Sequence, residues 1–397
     1  MSDTTGNTMG ETSWIDIGAV GGVFPTGPLT AAALVDAGLR LRFATGEATV
    51  LAEWLRDNCQ CGECRIVQTD ERRIRPWTLP PAAAADVTVT DGTLEVTWSG
   101  GHRSTYTDHT FRDIATATRR GGHRARLWRS GDELVRLGHD EVLVDDAGRL
   151  RFFDAFQRDG ALVVTGSPTA PGSVLTFMDA IGVAVRELAI GKIFDVRVDP
   201  AGFNVAYTAE EVPPHNDFAN YTDPPSGQVL AMLVNEAHGG RSTVVDGWSV
   251  LHDLDRHDPS AIDVLSRVQV GFRQYSATAD AFSRAVLVER DPEGRFTHLR
   301  FSNQLMQPLP FDHPDLAAWY RAYRLLGAAV CDSANQVSFR LQAGDMLFVN
   351  NHRVLHAREA FTPDGPRHLQ DVYFDADEMT GNLARLTGEA KNAMVLS

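Results

Sequence analysis

A chain of 397 residues can bury a large core, and its share of hydrophobic residues, 43%, is ordinary for a globular protein. The formal net charge of -15 argues against general binding to nucleic acids or to anionic membranes, because both attract basic proteins. We therefore expect a small-molecule ligand, with no nucleic-acid and no membrane partner.

The first residues predict a disordered tail without a targeting signal. Residues 1–13 are small and polar, and they have neither the basic nor the apolar region of a secretion signal. No run of apolar residues approaches the roughly 18 that a membrane-spanning helix needs. We expect a cytoplasmic protein whose ordered part begins near Trp14.

Residues 14–115 predict a small β-rich domain. The predicted strands lie at 39–43, 48–51, 86–90 and 94–98. The last two are typical of a hairpin, because Asp91-Gly92 between them favours a tight turn.

A dense cysteine cluster interrupts this domain. It consists of Cys59, Cys61 and Cys64. Three thiols in six residues are too close for a disulfide framework and favour a metal in a reducing compartment. Zinc bound by thiolates prefers four ligands in a closed tetrahedron, and His102, after the glycines that follow the hairpin, is our candidate for the fourth. The alternatives are His109 or His123 as fourth ligand, or a redox cluster with one leftover thiol.

We place the domain boundary near residue 115, because residues 110–150 are charged and contain several predicted turns. The segment 119–129 carries five arginines but few aromatic residues. It therefore predicts a solvated connector rather than a nucleic-acid-binding surface.

Residues 116–397 predict a second domain that is rich in strands. The predicted strands lie at 161–165, 229–234, 242–246, 268–275, 296–301, 336–341, 346–349 and 369–374. Ser173 is predicted to cap a helix that reaches Leu188, a second helical stretch covers 248–266, and Cys331 is predicted to be buried in a third. About eight strands with non-local pairing favour a double-stranded β-helix of the jelly-roll type. The expected fold is mainly β with helices (α+β), with this core after the small domain.

The stretch 212–220 contains two candidate metal ligands. His215 and Asp217 are two residues apart, so an extended backbone turns both side chains the same way. A second, distal His would complete the 2-His-1-carboxylate triad of non-heme Fe(II) oxygenases, which leaves three positions open. His356 follows the predicted strand at 346–349 and supplies that ligand.

A second His-x-Asp pair, His313 and Asp315, is interpreted as structural. The surrounding prolines disrupt strand pairing, and Asp315 precedes an apolar helical segment as an N-cap residue would.

The pattern of His215, Asp217, His356 and Arg367 resembles the Fe(II)/2-oxoglutarate oxygenases of the taurine dioxygenase superfamily. The segments 204–208, 239–247 and 367–369 are similar to its γ-butyrobetaine hydroxylase and trimethyllysine hydroxylase branch, and the resemblance extends from about residue 36 onward. It implies Fe(II), 2-oxoglutarate and O2 at the triad, release of succinate and CO2, and hydroxylation of an unactivated carbon. It also implies the jelly-roll core and a homodimer.

The resemblance further implies roles for residues that bind the co-substrate and zinc. Arg367 matches the position that binds the far carboxylate of 2-oxoglutarate, with Arg358 the next candidate, and Ser242 or Thr243 matches a helper hydroxyl. The branch also carries a Cys-x-Cys-x2-Cys zinc site that a His completes, and His102 aligns with that His.

In this branch, an aromatic cage holds a trimethylammonium group through cation–π attraction. Tyr207 and Tyr373 match two cage positions, whereas Phe194 stands in place of a Trp and Ile190 in place of a Tyr. The resemblance therefore implies a cage with altered specificity.

Other residues match positions that bind the acid end of the substrate. Asn204 and Asn303 fall in the matching segments, whereas Asp371 stands where the taurine enzyme has a sulfonate-binding Arg. A sulfonate substrate is therefore disfavoured.

Three functional hypotheses follow. The leading one is a 2-oxoglutarate-dependent hydroxylase of a small cationic or zwitterionic, betaine-like amine. The second is desaturation or cyclisation of a small amine by the same chemistry, and the third is a metal-binding sensor without turnover. Halogenation is disfavoured, because Asp217 occupies the position that a halide would need.

Overall fold

The computed structural model describes residues 14–17, 24–25, 27–36, 38–66, 68–117, 123–198, 205–276 and 279–388. The predicted tail at 1–13 and the predicted substrate residue Asn204 lie outside the described residues. The chain divides into two compact units. The large unit comprises the described residues within Met1–Ile17 and His123–Leu386, and the small unit those within Gly18–Gly122 and Thr387–Ser397.

The strands, in chain order, are β1 (Trp14–Ile17), β2 (Leu29–Val35), β3 (Gly38–Phe43), β4 (Gly46–Leu51), β5 (Ala84–Thr90), β6 (Thr93–Trp98), β7 (Arg103–Tyr106), β8 (His123–Arg126), β9 (Val135–Gly138), β10 (Ala161–Thr165), β11 (Phe194–Val196), β12 (Val212–His215), β13 (Gly227–Asn235), β14 (His238–Gly239), β15 (Ser242–Asp246), β16 (Val270–Tyr275), β17 (Asp280–Ala285), β18 (Val288–Arg290), β19 (Phe296–Leu299), β20 (Gln336–Phe339), β21 (Met346–Asn350), β22 (Val354–Arg358), β23 (Phe361–Thr362) and β24 (Arg367–Phe374). The helices are α1 (Ala52–Asp57), α2 (Asp108–Ala117), α3 (His139–Leu143), α4 (Asp146–Asp159), α5 (Ser173–Ala180), α6 (Gly247–His257), α7 (Pro259–Arg267), α8 (Leu316–Cys331) and α9 (Ala376–Leu386).

Two sheets form the centre of the large unit. One has six strands in the order β11-β24-β13-β21-β10-β9, and the other has four in the order β12-β22-β15-β20. Val163 and Leu347 of the first sheet share a buried cluster with Val244 and Val354 of the second, so the sheets pack face to face. This arrangement confirms the predicted α+β fold with a jelly-roll core.

Strand alternation directs the remaining apolar side chains to helices on the outer faces. On β10, Leu162 packs with Phe152 of α4 and Phe177 of α5, whereas the next residue, Val163, faces the other sheet. On β15, Val245 packs with Trp248 of α6. The helices therefore cover the outsides of the sheets and leave the space between them to the site.

The small unit contains two three-stranded sheets, β2-β3-β4 and β5-β6-β7. Leu41 and Phe43 from the first sheet share a core with Val96 and Trp98 from the second. The predicted hairpin turns where expected, with positive φ angles of 48° and 77° at the two residues of the Asp-Gly pair, 91 and 92. In the part of the chain that the structure describes, no helix combines the length and apolarity needed to cross a membrane.

Two helix predictions were wrong in their bounds. The helix at Ser173 begins after Gly172, whose φ of 84° suits glycine, and it ends at Ala180 rather than at Leu188. The stretch 248–266 forms two helices, α6 and α7, because Asp258 ends one and caps the next by accepting a hydrogen bond from the backbone N–H of Ala261.

The prediction of a solvated connector at 119–129 was also wrong for its described part. Strand β8 pairs with β1, and both Ala125 and Trp128 are buried. The predicted burial of Cys331 was wrong as well. Cys331 is exposed because it lies off the buried stripe of α8, which carries Trp319, Ala322, Leu326 and Val330.

Candidate active site

The predicted triad converges at one end of the four-stranded sheet. His215 on β12 pairs directly with His356 on β22, and their ring centroids are 4.3 Å apart. Asp217 lies two residues beyond His215, with its Oδ1 3.3 Å from His215 Nε2 and its Oδ2 3.8 Å from His356 Nε2. The three ligand atoms lie within 4.8 Å of one another. This donor set fits a divalent cation on one face.

Hydrogen bonds orient the ligand atoms toward a common point. The Nδ1–H of His215 donates to the carbonyl of Pro213 at 2.9 Å, which leaves Nε2 with a free lone pair. Asp217 Oδ2 accepts from the hydroxyl of Tyr373 at 2.7 Å and from Nε2 of Gln228 at 2.8 Å, so Oδ1 is free for a metal. His356 directs Nε2 toward Asp217, and its buried Nδ1 has no hydrogen-bond partner in the described part of the chain.

The electrostatics of the triad also suit a cation. Burial alone would raise the pKa of Asp217, but His356, His215 and the hydrogen bond from Tyr373 together hold that pKa well below its usual range. Burial and the neighbouring His215 lower the pKa of His356 to about 4. The site therefore offers a carboxylate at Asp217 and a neutral imidazole at His356 to a cation.

Two buried asparagines that sequence reasoning missed lock the metal loop to the turn before β22. Asn351 accepts from the backbone N–H of Asp217 and donates to its carbonyl, each at 3.0 Å. Asn216, in the middle of the His-x-Asp motif, donates to the carbonyl of Asn351 at 2.7 Å. The sequence could have revealed these two asparagines only through their burial, and burial of a polar residue is not visible in the sequence alone.

A cavity of ≈ 470 Å³ opens beside the triad. Strand β24 contributes every second residue to its wall, namely Arg367, Leu369, Asp371 and Tyr373. The opposite sheet contributes Ser242 and Arg358.

Arg367 is a buried cation whose guanidinium has no protein acceptor among the residues that the structure describes. Its Nε is buried and, among the described residues, has no hydrogen-bond partner, and its charge lies over the ring of Phe361 at 5.2 Å. Arg358 lies over the same ring at 5.0 Å, but it donates to the backbone carbonyls of Thr208 and Glu210 at 2.8 and 2.6 Å. Burial and then Arg367 lower the pKa of Arg358 to about 10. A carboxylate at Arg367 would relieve this repulsion, so these residues fit an anionic co-substrate.

Strand alternation distinguishes the two candidate hydroxyls. Ser242 lines the cavity and pairs with Arg358, whereas Thr243 pairs with Ala357 and is not part of the wall. Only Ser242 is therefore placed to reach a ligand in this cavity.

The predicted substrate residues are placed differently from one another. Phe194, Tyr373 and Ile190 line the cavity, whereas Tyr207 is not in the wall and packs edge-to-face against Phe194, at 5.4 Å between centroids. Asn303 is exposed, accepts a hydrogen bond from a tyrosine hydroxyl on α8 at 2.7 Å, and is absent from the wall.

Asp371 lies in the cavity wall and is buried, and its Oδ1 has no hydrogen-bond partner within the described ranges. Burial and then the nearby Asp217 raise the pKa of Asp371 well above its usual range.

The second His-x-Asp pair forms a local turn and no metal cluster in the described part of the chain. The backbone N–H of Asp315 donates to Nδ1 of His313 at 3.1 Å, and its carboxylate accepts from Arg267 at 2.6 and 2.8 Å. Asp315 occupies the N-cap position of α8, but its side chain makes no capping bond.

The small unit brings its three cysteines and His102 together. The His102 Nε2 lies 3.5, 3.7 and 3.7 Å from the sulfurs of Cys59, Cys61 and Cys64. Zinc bonds of about 2.3 Å to sulfur and about 2.0 Å to nitrogen, at tetrahedral angles, separate the two atoms by about 3.5 Å. The Nδ1 of His102 lies 3.2 Å from a carboxylate oxygen of Glu63, which orients the ring. These atoms fit a zinc ion.

The alternative fourth ligands are not in this cluster. His109 is exposed and pairs with Asp113 at 3.1 Å. Neither His109 nor His123 belongs to the group of candidate metal ligands formed by the cysteines, as far as the described residues extend.

Comparison with known proteins gives similarity over most of the chain. Residues 131–373 match the family described as "Taurine catabolism dioxygenase TauD, TfdA family", and residues 34–112 match "Gamma-butyrobetaine hydroxylase-like, N-terminal". The gamma-butyrobetaine dioxygenase of Pseudomonas sp. (strain AK-1) is 33% identical over 90% of this chain and 95% of its own length. The mitochondrial trimethyllysine dioxygenase of Gallus gallus is 27% identical over 88% of this chain and 86% of its own. A solved structure of the non-heme iron oxygenase OrfP with Fe and alpha-ketoglutaric acid matches 61% of this chain and 94% of its own at 18% identity, with a TM-score of 0.47.

Proposed function

The chain belongs to the TauD/TfdA dioxygenase family and is an Fe(II)/2-oxoglutarate-dependent dioxygenase, and from this premise we propose that it hydroxylates an unactivated carbon of a small cationic or zwitterionic, betaine-like substrate at the His215 site. The observation that carries the proposal is that one cavity contains both the triad and a buried Arg367, whose Nε has no acceptor in the described part of the chain. Succinate and CO2 are the expected co-products.

His215, Asp217 and His356 would hold the iron through two imidazole Nε2 atoms and one carboxylate oxygen. Bound Fe(II) supplies the oxidative chemistry that couples decarboxylation of 2-oxoglutarate to hydroxylation. Tyr373 and Gln228 keep the carboxylate in one rotamer by donating to its Oδ2, which directs Oδ1 to the metal position.

Arg367 would bind the far carboxylate of 2-oxoglutarate, and Ser242 would donate a hydroxyl hydrogen bond to it. A buried guanidinium offers a planar pair of donors, and the aromatic ring of Phe361 beneath it fixes its plane. Arg358 is less suited to this role because its donors already bind backbone carbonyls.

The substrate class rests on the relatives and on the aromatic wall. Two of the relatives are named for γ-butyrobetaine and for trimethyllysine, which both carry a cationic nitrogen. The rings of Phe194 and Tyr373 line the cavity here and could receive such a cation on their faces, and Tyr207 packs against the first of them. Ile190 in the same wall supports a head group that differs from that of γ-butyrobetaine.

The domain that we assign to residues 14–115 would carry a structural zinc ion on Cys59, Cys61, Cys64 and His102. A core of two short sheets gains stability from such a closed site. For the whole protein we propose a homodimer, on the family resemblance, which sedimentation of the purified chain would test.

A panel of quaternary amines, their N–H analogues and their acid derivatives, assayed for Fe(II)-dependent succinate formation, tests the proposal. A hydroxylated product gains one oxygen atom, whereas a desaturated or cyclised product loses two hydrogens, so mass spectrometry separates the two reactions. Ile190→Tyr is expected to improve turnover of γ-butyrobetaine. If only neutral or purely anionic compounds drive succinate formation, the substrate class is wrong while the reaction type stands.

A further inference from the structure

Asp371 occupies an apolar row in the wall of the active-site cavity. On β24 it pairs with Phe194 of β11 on one side and with Leu230 of β13 on the other. All three side chains line the cavity, so the carboxyl lies between an aromatic and an aliphatic neighbour. Burying a polar group in such surroundings costs free energy unless it finds a hydrogen-bonding partner.

The protein leaves one oxygen of Asp371, the buried Oδ1, without a hydrogen-bond partner among its described residues. The carboxyl makes no ion pair there, and its buried Oδ1 accepts no hydrogen bond. Tyr373 donates its hydroxyl hydrogen to Asp217, and Gln228 donates to Asp217 while it also contacts the Asp371 carboxyl, so neither satisfies Oδ1 of Asp371. Arg367 faces the same cavity, but the proposed function assigns its guanidinium to 2-oxoglutarate.

A packing role explains this position poorly. An aliphatic residue between Phe194 and Leu230 would fill the row without an unsatisfied oxygen, whereas a carboxyl gains only from a ligand that brings a donor. Once a co-substrate carboxylate neutralises Arg367, the part of the wall formed by β24 and β11 presents the acidic group of Asp371 and the rings of Phe194 and Tyr373. That combination favours a cation with N–H bonds.

We propose that Asp371 binds the cationic nitrogen of the substrate through an N–H···O hydrogen bond, so that the head group is a protonated amine rather than a quaternary ammonium. A quaternary nitrogen has no hydrogen to donate and leaves Oδ1 unsatisfied. The inference rests on the proposed function and narrows it, because the named relatives act on compounds with quaternary nitrogen. It makes Asp371 a specificity-determining residue.

The test compares compounds that differ only in N-methylation. 4-Aminobutyrate and lysine are each assayed beside their N-methyl, N,N-dimethyl and N,N,N-trimethyl derivatives. The readouts are succinate formation and hydroxylated product. Every other amine of the panel is likewise compared with its own N-methylated derivatives. In the wild type we expect kcat/KM for the best N–H member to exceed that of its quaternary partner by about tenfold or more, as a charged hydrogen bond allows. In Asp371→Asn this preference should fall to within about threefold, with an unchanged KM for 2-oxoglutarate.

Asp195→Asn is the matched control. Asp195 neighbours Phe194 on β11, but its carboxylate binds His368 at 2.6 Å and Gln370 at 3.0 Å, and it does not line the cavity. This variant should keep the wild-type preference. Thermal unfolding of both variants separates loss of fold from loss of specificity.

Three outcomes would overturn the inference. In the first, the wild type prefers the quaternary compounds, or Asp371→Asn keeps the wild-type preference for the N–H amines. The proposed function would still stand in that case. In the second, Asp371→Asn raises the KM for 2-oxoglutarate instead, which would make Asp371 part of the co-substrate site. In the third, no amine of either kind is turned over while another compound is, and then the proposed substrate class fails as well.

Discussion

Removal of the Arg367 side chain should raise the concentration of 2-oxoglutarate needed for half-maximal turnover. The guanidinium is buried and has no acceptor in the part of the chain that the structure describes. It therefore contributes little to the stability of the fold and is available to bind an anionic ligand. Phe361 beneath it fixes its plane before the anion binds, which lowers the entropy cost of binding. A charge-assisted pair of this kind contributes about 1.5–3 kcal/mol. At about 1.4 kcal/mol per factor of ten, we expect Arg367→Ala to raise this concentration about 10- to 150-fold.

Initial rates of succinate formation against 2-oxoglutarate, at a saturating amine, measure this effect, and calorimetric titration gives the binding constant directly. Arg367→Lys should fall between the wild type and Arg367→Ala, because it keeps the charge and loses the planar pair of donors. Arg358→Ala is the control. Its donors bind the carbonyls of Thr208 and Glu210, so its loss should lower the unfolding temperature more than the affinity for 2-oxoglutarate. An unchanged requirement in Arg367→Ala, with a tenfold rise in Arg358→Ala, would refute the assignment.

Three further predictions concern the metals and the response to acid. His356→Ala should lose Fe(II) binding, measured by metal titration, while His313→Ala keeps it; the reverse result would select the other His-x-Asp pair. Cys61→Ser protein should contain less than the wild-type amount of zinc by elemental analysis and should unfold at a lower temperature, and undiminished zinc would contradict the site. Burial, and then the charge of the stacked His298, lower the pKa of His352 to about 3 in the folded protein. In the unfolded chain this imidazole takes up a proton at about pH 6.5. The folded protein therefore loses stability as the pH falls below that value. His352→Gln should therefore lose less free energy of unfolding between about pH 7 and pH 5 in urea titrations of the metal-free protein, and an equal loss in both proteins would count against this explanation.

The sequence predicts the triad well for a physical reason. His215 and Asp217 are two residues apart, and strand geometry alone turns them the same way. The pairing of His356 with His215 is a long-range register, whereas the sequence predicted only that His356 follows the strand at 346–349. The hydrogen bonds that Asn216 and Asn351 make were missed, because their contribution depends on the burial of both side chains, which no local sequence pattern reveals.

The choice between Ser242 and Thr243 shows a second limit of the sequence. Adjacent residues of a strand face opposite sides of the sheet, so only one of these two side chains can face the cavity. Both faces of this strand are buried, so its sequence shows no alternation of polar and apolar residues that would identify the one. The pairing of Ser242 with Arg358 resolves it. For Asn303, resemblance matches a segment but does not fix the direction of the side chain, which is exposed and accepts a hydrogen bond from Tyr323, so its substrate role stays a prediction.

Tyr373 shows that a residue whose role is assigned by resemblance can have a second role, which only its contacts in the structure reveal. The resemblance implies one member of an aromatic cage, and its ring does line the cavity. Its hydroxyl, however, donates to the Oδ2 of Asp217 beside Gln228, its direct partner across β13 and β24. A change to Leu would therefore remove a cation–π face and release the carboxylate proposed to hold iron, so weaker substrate binding in that variant could arise from either loss. A change to Phe keeps the ring and removes only the bond to Asp217, so the comparison of the two variants separates the substrate contact from the metal contact.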